Sequence, residues 1–455
     1  MSQDWEKLGG ETGEAVPTGR LSRALTLGTM GARVTASSVA SKIGGLMLSA
    51  SKDKREAFLQ QAQLKKAEMV VEALGRLKGA SMKVGQMLSA DPELIPAGLA
   101  EKLSSLQSSA PPMTYQTVRA QIEAAYDRPM ETIFAYFDPT PIGSASIGQV
   151  HRARLESGEE VAVKIQYPGV VESLESDLKS LATLLSYGRA VIEKTRLDAY
   201  VKEIRNVILQ ESDYLVEAEN LARFYDRIKE REGLRSPKPY PEHSRKSVLV
   251  MEFMEGTKLD DALERIEPGE RRDEILRRWV AIFSWMFHEC HELHADPHPG
   301  NFLLDADDAI VILDFGCVKA YSPEFTDGFL DVLDASWQDD PKRAIELYFA
   351  LGYGRGKTEL DPDLMRDYHA FFLAPFLSDA PFAFGDWKPG SDAKAFMFRH
   401  PSFFQLVPPA EALPYFRVLS GIKGLLAKMD ATINVCDMAI DTARRRGRLT
   451  GEPKA

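Results

Sequence analysis

The run His294-Ala-Asp296-Pro-His298-Pro-Gly-Asn301, followed at short range by Asp314-Phe315-Gly316, decides how this chain is read. Asp296 and Asn301 stand five residues apart, on a stretch that two prolines and a glycine mark as a loop. Between that loop and Asp314 lies Ala309-Ile-Val-Ile-Leu313, a short apolar run of the kind that forms a buried strand, with Asp314 at its C-terminal edge. Two carboxylates and an amide so placed supply what phosphate chemistry asks of a protein. They offer hard oxygen ligands for Mg²⁺ and a carboxylate aimed at an incoming hydroxyl or water. Asp-Phe-Gly alone occurs by accident; both motifs in this order, with an apolar strand between them, are much harder to get that way.

The spacing is that of the kinase catalytic loop H-R-D-L-x-x-x-N and its following D-F-G. Asp296 is therefore the candidate base or water-orienting residue, and Asn301 and Asp314 are the candidate Mg²⁺ ligands. Upstream, Glu160-Val-Ala-Val-Lys164-Ile165 alternates with the period of a strand, which puts Lys164 on the face opposite Val161, Val163 and Ile165. V-A-V-K matches the strand V-A-I-K whose Lys neutralises nucleotide phosphates and pairs with a helix Glu. Three carboxylates qualify as its partner, Glu211, Asp213 and Glu217, with Asp213 and Glu217 at i,i+4 on one helical face; the residues alone leave the choice open. Met251-Glu252-Phe253-Met254 follows a strand where an adenine would be met by backbone, at Glu252 and Met254. Gly143, Ser144, Ala145 and Ser146, followed by Gly148, read as a phosphate loop whose middle carries side chains where close backbone approach favours glycine. His288, His291 and His294 recur at helical spacing over Ile275–His294, a buried helix stripe, but neither they nor His298 form an ordinary zinc motif; local hydrogen bonding is the reading.

A length of 455 residues exceeds one core. The net charge of −11 argues against a nucleic-acid partner. Cys290, Cys317 and Cys436 have no paired spacing and read as reduced thiols of a cytosol-like compartment. The acidic first twenty residues fit neither a secretory signal nor a transit peptide. Leu21–Ala50 reads as a small-residue amphipathic helix, interrupted by Arg23, Arg33 and Lys42, packed on its own domain or lying on a membrane surface. The expected organisation is a loose segment 1–20, a helical N-terminal extension 21–133, an N-lobe 134–256 and a mostly helical C-lobe 257–455. The fold class is α+β, two-lobed and protein-kinase-like, in a cytoplasmic protein with peripheral membrane contact as its alternative.

From about Val16 to Ala443 the chain resembles the UbiB-type atypical kinases, the aarF-domain or ADCK family, and most closely the branch linked to coenzyme Q synthesis. Four features carry this: Lys83-Val-Gly-Gln86, the Ala-rich loop before Ile147-Gly-Gln-Val-His151, Val161-Ala-Val-Lys-Ile-Gln-Tyr-Pro-Gly-Val170, and Glu211-x-Asp213 ahead of Glu217-Ala-x-Asn220. The resemblance implies a kinase-like fold whose K-x-G-Q helix covers the protein-substrate site, with Lys83 reaching toward Glu211 and Asp213, Gln86 beside it, and Glu217 paired with Lys164. It implies ATP and Mg²⁺ as cofactors and ATPase-like or small-molecule kinase activity. Its implied partners are lipid or quinone precursors, a membrane surface and biosynthetic-complex proteins. The usual A-A-A-S loop is here Gly143-Ser-Ala-Ser146, and a leading glycine should loosen it. The tail Arg444-Arg-Arg-Gly-Arg448 reads as a solvated helix end or an anionic-lipid contact.

Overall fold

The computed structural model describes residues 112–145, 147–172, 174, 194–354 and 359–453. The expectations for 1–20, for the extension as far as residue 111, and for Lys83, Gln86 and Ser146 lie outside them. The chain divides into two compact units. Among the described residues the first runs to Ala218 and resumes over Pro239–Phe253; the second comprises Glu219–Lys238 and everything from Met254 onward.

The first unit is built on an antiparallel sheet. Its strands are β1 (Phe134–Phe137), β2 (Gly143–Ala145), β3 (Gly148–Leu155), β4 (Glu160–Gln166) and β6 (Val248–Glu252), in the order β1-β3-β4-β6 with β2 also on β3. Strand alternation divides β4 as its sequence requires. Val161, Val163 and Ile165 pack with Val248 and Val250 against Phe134, Phe137 and Leu155. The same cluster takes Val118 and Ile122 of helix α1 (Tyr115–Tyr126). Thr114 caps that helix by accepting from Thr117 N at 3.2 Å, and its end is closed by Asp127 at φ 53°. Lys164 and Gln166 take the opposite face, yet both are buried. Helices α2 (Lys194–Glu211) and α3 (Tyr214–Ile228) follow, and Gln166 donates to the carbonyl of Ser212 between them at 2.8 Å.

Two local readings are corrected in this unit. Gly143, Ser144 and Ala145 form β2, paired in register with Val150, Gln149 and Gly148, so they belong to a hairpin rather than an open loop. Gly143 has no positive φ, and a Cβ added there would touch nothing within 4 Å, so this glycine answers no steric demand. Gly148 does: its Cβ would lie 2.1 Å from the Ile165 carbonyl oxygen. Asp213, expected on one helical face with Glu217, instead precedes α3 and accepts from Leu215 N at 3.1 Å, the turn-forming habit of an Asx side chain.

The second unit holds a four-stranded sheet, β5 (Leu234–Arg235), β10 (Ile310–Ile312), β9 (Phe302–Leu304) and β7 (Thr257–Lys258). A ribbon of β8 (Glu292–His294) with β11 (Val318–Ala320) lies apart from it. Helix α4 (Leu259–Arg265) leads to α5 (Glu270–His288), whose Ile275, Leu276, Trp279, Phe283, Met286 and Phe287 are buried. The stripe does not continue to His294 as a helix. His291 adopts φ 54°, the left-handed region that ends a helix, and Glu292–His294 joins the β8–β11 ladder. The histidines at helical spacing therefore never share a helical face.

The rest is helical: α6 (Pro323–Trp337), α7 (Pro341–Ala350), α8 (Pro362–Phe372), α9 (Pro389–Arg399), α10 (Leu413–Lys428) and α11 (Cys436–Arg445). A two-residue pairing of β12 (Phe382–Ala383) with β13 (Thr432–Ile433) had no strand signal in the sequence. The basic tail is in part the solvated helix end expected of it, with Arg444 and Arg445 exposed, but it is not a free cationic patch. Arg445 pairs with Glu289 at 3.1 Å, and two acids of α6 take two more of the four arginines, Asp327 pairing with Arg446 at 3.0 Å and Asp331 with Arg448. No helix among the described residues is long and apolar enough to cross a membrane.

Burial pushes His288 and His369 down to about 4 from the ordinary 6.5. Both are neutral in the fold and free to protonate once unfolded. Their contribution is full above 6.5 and is lost as pH falls from there toward 4. Thermal unfolding followed from pH 7 to 4 should show stability falling by roughly 1.4 kcal/mol per pH unit for each histidine inside that window. His369→Gln should reduce the dependence, and a flat profile would contradict it.

Candidate active site

In the first unit, Lys164 Nζ lies 2.9 and 3.0 Å from the two carboxylate oxygens of Glu217. Of the three carboxylates open to it in the sequence, Glu217 meets it in this bidentate contact. The side chains are 9% and 2% exposed, so the pair is desolvated, and a bidentate contact is what such a pair needs to offset the loss of water. The ring of Tyr214 lies 5.1 Å from Nζ, a second source of negative potential that had no local signal. Glu211 is buried at the end of α2, and Asp213 caps α3. Glu252 closes β6 opposite Val161, and Phe253 N donates to the Glu160 carbonyl at 3.1 Å, which fixes the strand's end; Met254 begins the second unit.

In the second unit, the catalytic-loop candidate is tied to the strand candidate by His294, which is fully buried. Its Nδ1 accepts from the backbone N–H of Asp296 at 3.1 Å, and its Nε2 lies 2.6 Å from the carbonyl oxygen of Asp314. One nitrogen must accept and the other donate, which assigns the neutral Nε2–H form. The loop is further closed by Asn301 Nδ2 donating to the Asp296 carbonyl at 3.3 Å. Leu313 N donates to the Asn301 carbonyl at 2.9 Å, which puts Asn301 and Asp314 at adjacent ends of the β9–β10 hairpin. Asp314 Oδ1 accepts from Gly316 N at 2.9 Å. Phe315 stacks on Phe224 at 5.3 Å, and its carbonyl accepts from Asn220 Nδ2 at 3.0 Å.

Asp296 is also ion-paired: Arg417 Nη2 lies 2.8 Å from its Oδ1. No sequence signal pointed to Arg417, which lies 121 residues away. The remaining histidines make local contacts. His291 Nδ1 is 2.7 Å from Thr326 Oγ1, and His298 Nδ1 accepts from Gly300 N at 3.0 Å.

Asn301 and Asp314 offer oxygen donors, and the Asn301 Oδ1 has no hydrogen-bond partner among the described residues. A hard cation suits such donors. Mg²⁺ takes one or two protein ligands and completes its octahedron with phosphate oxygens and water. Among the described residues no group of three or more His, Cys, Asp or Glu side chains gathers as a metal site.

Residues 105–348 match the ABC1 atypical kinase-like domain. The chain belongs to this family. Its domain is atypical kinase-like, and the mixture of helices and sheets described above is that of a kinase-like fold. The chain is 31% identical over 395 residues to the atypical kinase coq-8, mitochondrial, of Caenorhabditis elegans, covering 84% of this chain and 51% of that one, so it spans about half the length of that relative. It is 30% identical to the atypical kinase COQ8, mitochondrial, of Saccharomyces cerevisiae, covering 92% of this chain and 84% of that one. Among solved structures, the complex of Rv3197 with erythromycin from Mycobacterium tuberculosis matches with a TM-score of 0.60 and 25% identity, over 86% of this chain and 98% of that chain.

Removing one partner of the Lys164–Glu217 pair takes from the other its bidentate contact at a site largely closed to water. Glu217→Ala is expected to lower unfolding stability by about 3–5 kcal/mol, and the apolar pair Lys164→Met with Glu217→Leu to recover most of it. Denaturant melts of the three variants measure this; additive losses in the double variant would refute the coupling.

Proposed function

We propose that the chain is an ATP- and Mg²⁺-dependent atypical kinase or ATPase that supports ubiquinone synthesis, acting on or presenting lipid intermediates at a membrane surface that it meets from the cytoplasmic side. The observation that carries the catalytic part is the coexistence of the buried Lys164–Glu217 pair with an Asp296–Asn301 loop and Asp314 tied through His294. Lys164 serves the nucleotide phosphates, with Gly143, Ser144, Ala145 and Ser146 covering them. The backbone at Glu252 and Met254 meets the adenine. Asn301 and Asp314 hold Mg²⁺, and Asp296 faces the acceptor hydroxyl or water. Lys83 and Gln86 act with Glu211 and Asp213 to restrain which acceptors reach the site. A bound Mg²⁺ neutralises charge developing on the transferred phosphoryl group. The quinone part draws on the two mitochondrial Coq8 relatives and on the resemblance of the K-x-G-Q and E-x-D motifs.

ATP hydrolysis by the purified protein, with and without anionic liposomes and a phenolic quinone-precursor mimic, tests this. Turnover should rise with lipid and phenol. It should fall at least about 100-fold in Asp314→Asn and in Lys164→Ala while circular dichroism shows the fold kept. Undiminished turnover in both variants would move the activity to another site. Nucleotide binding without turnover under any condition would make the protein a scaffold.

A further inference from the structure

A buried amide of the second unit faces the backbone of the Asp314-Phe-Gly316 turn. Asn220 closes the E-A-x-N run and lies on residues 219–228, the part of α3 that belongs to this unit. Its Nδ2 donates to the Phe315 carbonyl at 3.0 Å, and its Oδ1 accepts from Arg223 Nη2 at 2.8 Å. A carboxamide has a donor end and an acceptor end of nearly equal size. A carbonyl on one side and a guanidinium on the other admit one orientation only. Arg223 is held in turn. Its Nε lies 3.1 Å from Glu292 Oε2, and Arg227 Nη1 lies 2.9 Å from the same oxygen. Glu292 belongs to β8, two residues before His294. The ribbon that holds the Asp314 carbonyl through His294 therefore braces Asn220 as well, through Arg223.

The peptide group that meets Asn220 is the one that meets the Asp314 carboxylate. Its carbonyl, on Phe315, accepts from Asn220; its N–H, on Gly316, donates to Asp314 Oδ1 at 2.9 Å. A planar peptide cannot turn one end without turning the other. Turning this one would take the N–H from the carboxylate and the carbonyl from its donor, in a turn whose Phe315 is buried. The stacking of Phe315 on Phe224 holds the ring but does not set the peptide plane. We infer that Asn220 is a positioning residue for phosphoryl transfer: by fixing the Phe315–Gly316 peptide it fixes the Asp314 carboxylate that would hold the cation. The inference rests on the reading of Asp314 as a Mg²⁺ ligand. Arg223 and Glu292 set which way round the amide stands. A side chain of the same size without the amide would fill the space and leave the peptide able to turn. A neutral hydrogen bond adds little net stability, and what this one supplies is direction.

The test is ADP binding to the full chain by titration calorimetry, with Mg²⁺ and with EDTA, for the wild type and each variant, beside a thermal melt. ADP carries no γ-phosphate to transfer, so the reading does not depend on turnover. The ratio of the two affinities isolates what the cation contributes. In Asn220→Leu that ratio should fall roughly tenfold with the affinity in EDTA unchanged, the effect expected when a buried carbonyl loses its donor. Arg223→Met keeps the amide but not what orders its ends, and should give a smaller fall. Phe224→Leu loosens the Phe315 ring and should lower the melting temperature while the ratio holds. An unchanged ratio in Asn220→Leu, whatever its melting temperature, makes the amide structural only and overturns the inference. So does an equal fall in Phe224→Leu, since any loosening of the turn would then suffice. If Asn220→Leu does not fold, Asn220→Ser decides by the same ratio, because a serine hydroxyl ends short of the carbonyl and adds neither bulk nor charge. A wild type whose ADP affinity ignores Mg²⁺ defeats the reading of Asp314 itself, an outcome distinct from a Mg²⁺-dependent wild type whose ratio ignores Asn220.

Discussion

A charge taken out of water costs more than any single apolar contact returns unless another charge meets it at short range. That constraint accounts for the layout of both units. In the first, the alternation of β4 sends Lys164 to the face opposite Val161, Val163 and Ile165, and the strand lies between β3 and β6. A buried lysine there requires a carboxylate from whatever covers the face. Glu217 on α3 answers it, with Tyr214 on the same helix under the ammonium and the Ser212 carbonyl taking the neighbouring Gln166. In the second, Asp296 is buried at the mouth of its loop, and the same requirement brings α10 to it through Arg417. The helices follow the charges as much as the apolar stripes.

The parts of this arrangement that could be read in the sequence are those encoded within a few residues. The period of β4 predicted which face Lys164 would take. The apolar run 309–313 predicted β10, and the Asp-x-x-x-x-Asn spacing predicted a loop, which in the structure Asn301 closes by reaching back to the Asp296 carbonyl. The family itself was legible because several such local signals occur in one order. The same reliance on local pattern explains the errors. Apolar spacing over Ile275–His294 satisfies a helix, but His291 takes a left-handed conformation and the last three residues find a strand partner in β11. Periodicity is blind to a ladder formed by residues further along the chain. Likewise Asp213 and Glu217 are four apart, yet the helix begins at Tyr214, and a short polar side chain at a helix start bonds backbone in preference to lying on a face.

What could not be read is long-range. Arg417 is one arginine among many, and nothing within its neighbours in sequence sets it apart. Its partner is fixed only once α10 is packed and Gly421 allows the helix to approach Pro297. His294 was visible as a histidine near the loop, but its use of one nitrogen for Asp296 N–H and the other for the Asp314 carbonyl depends on the pairing of β8 with β11. Two of the tail arginines, Arg446 and Arg448, could not be told from solvated charge because their acidic partners, Asp327 and Asp331, lie more than a hundred residues upstream on α6.

The segment beyond the matched domain is therefore integral to the second unit. Arg277 of α5 reaches Asp437 at 2.6 Å, Trp337 Nε1 donates to the Phe376 carbonyl at 2.7 Å, and Thr450 Oγ1 bonds to Asp334, which is itself held by Arg343. These bonds tie α5 and α6, the two helices that flank the β8 to β11 stretch in sequence, to residues beyond the matched domain. A loop that must hold Asp296, Asn301 and Asp314 within hydrogen-bonding tolerance of one another cannot rest on its own ten or so peptide bonds, since loops are the mobile parts of a fold. Its rigidity is borrowed from the ribbon through His294, from the hairpin through Asn301 and from α10 through Arg417. The last of these contributions joins elements 121 residues apart, so the catalytic-loop candidate is held only once the C-terminal helices have packed.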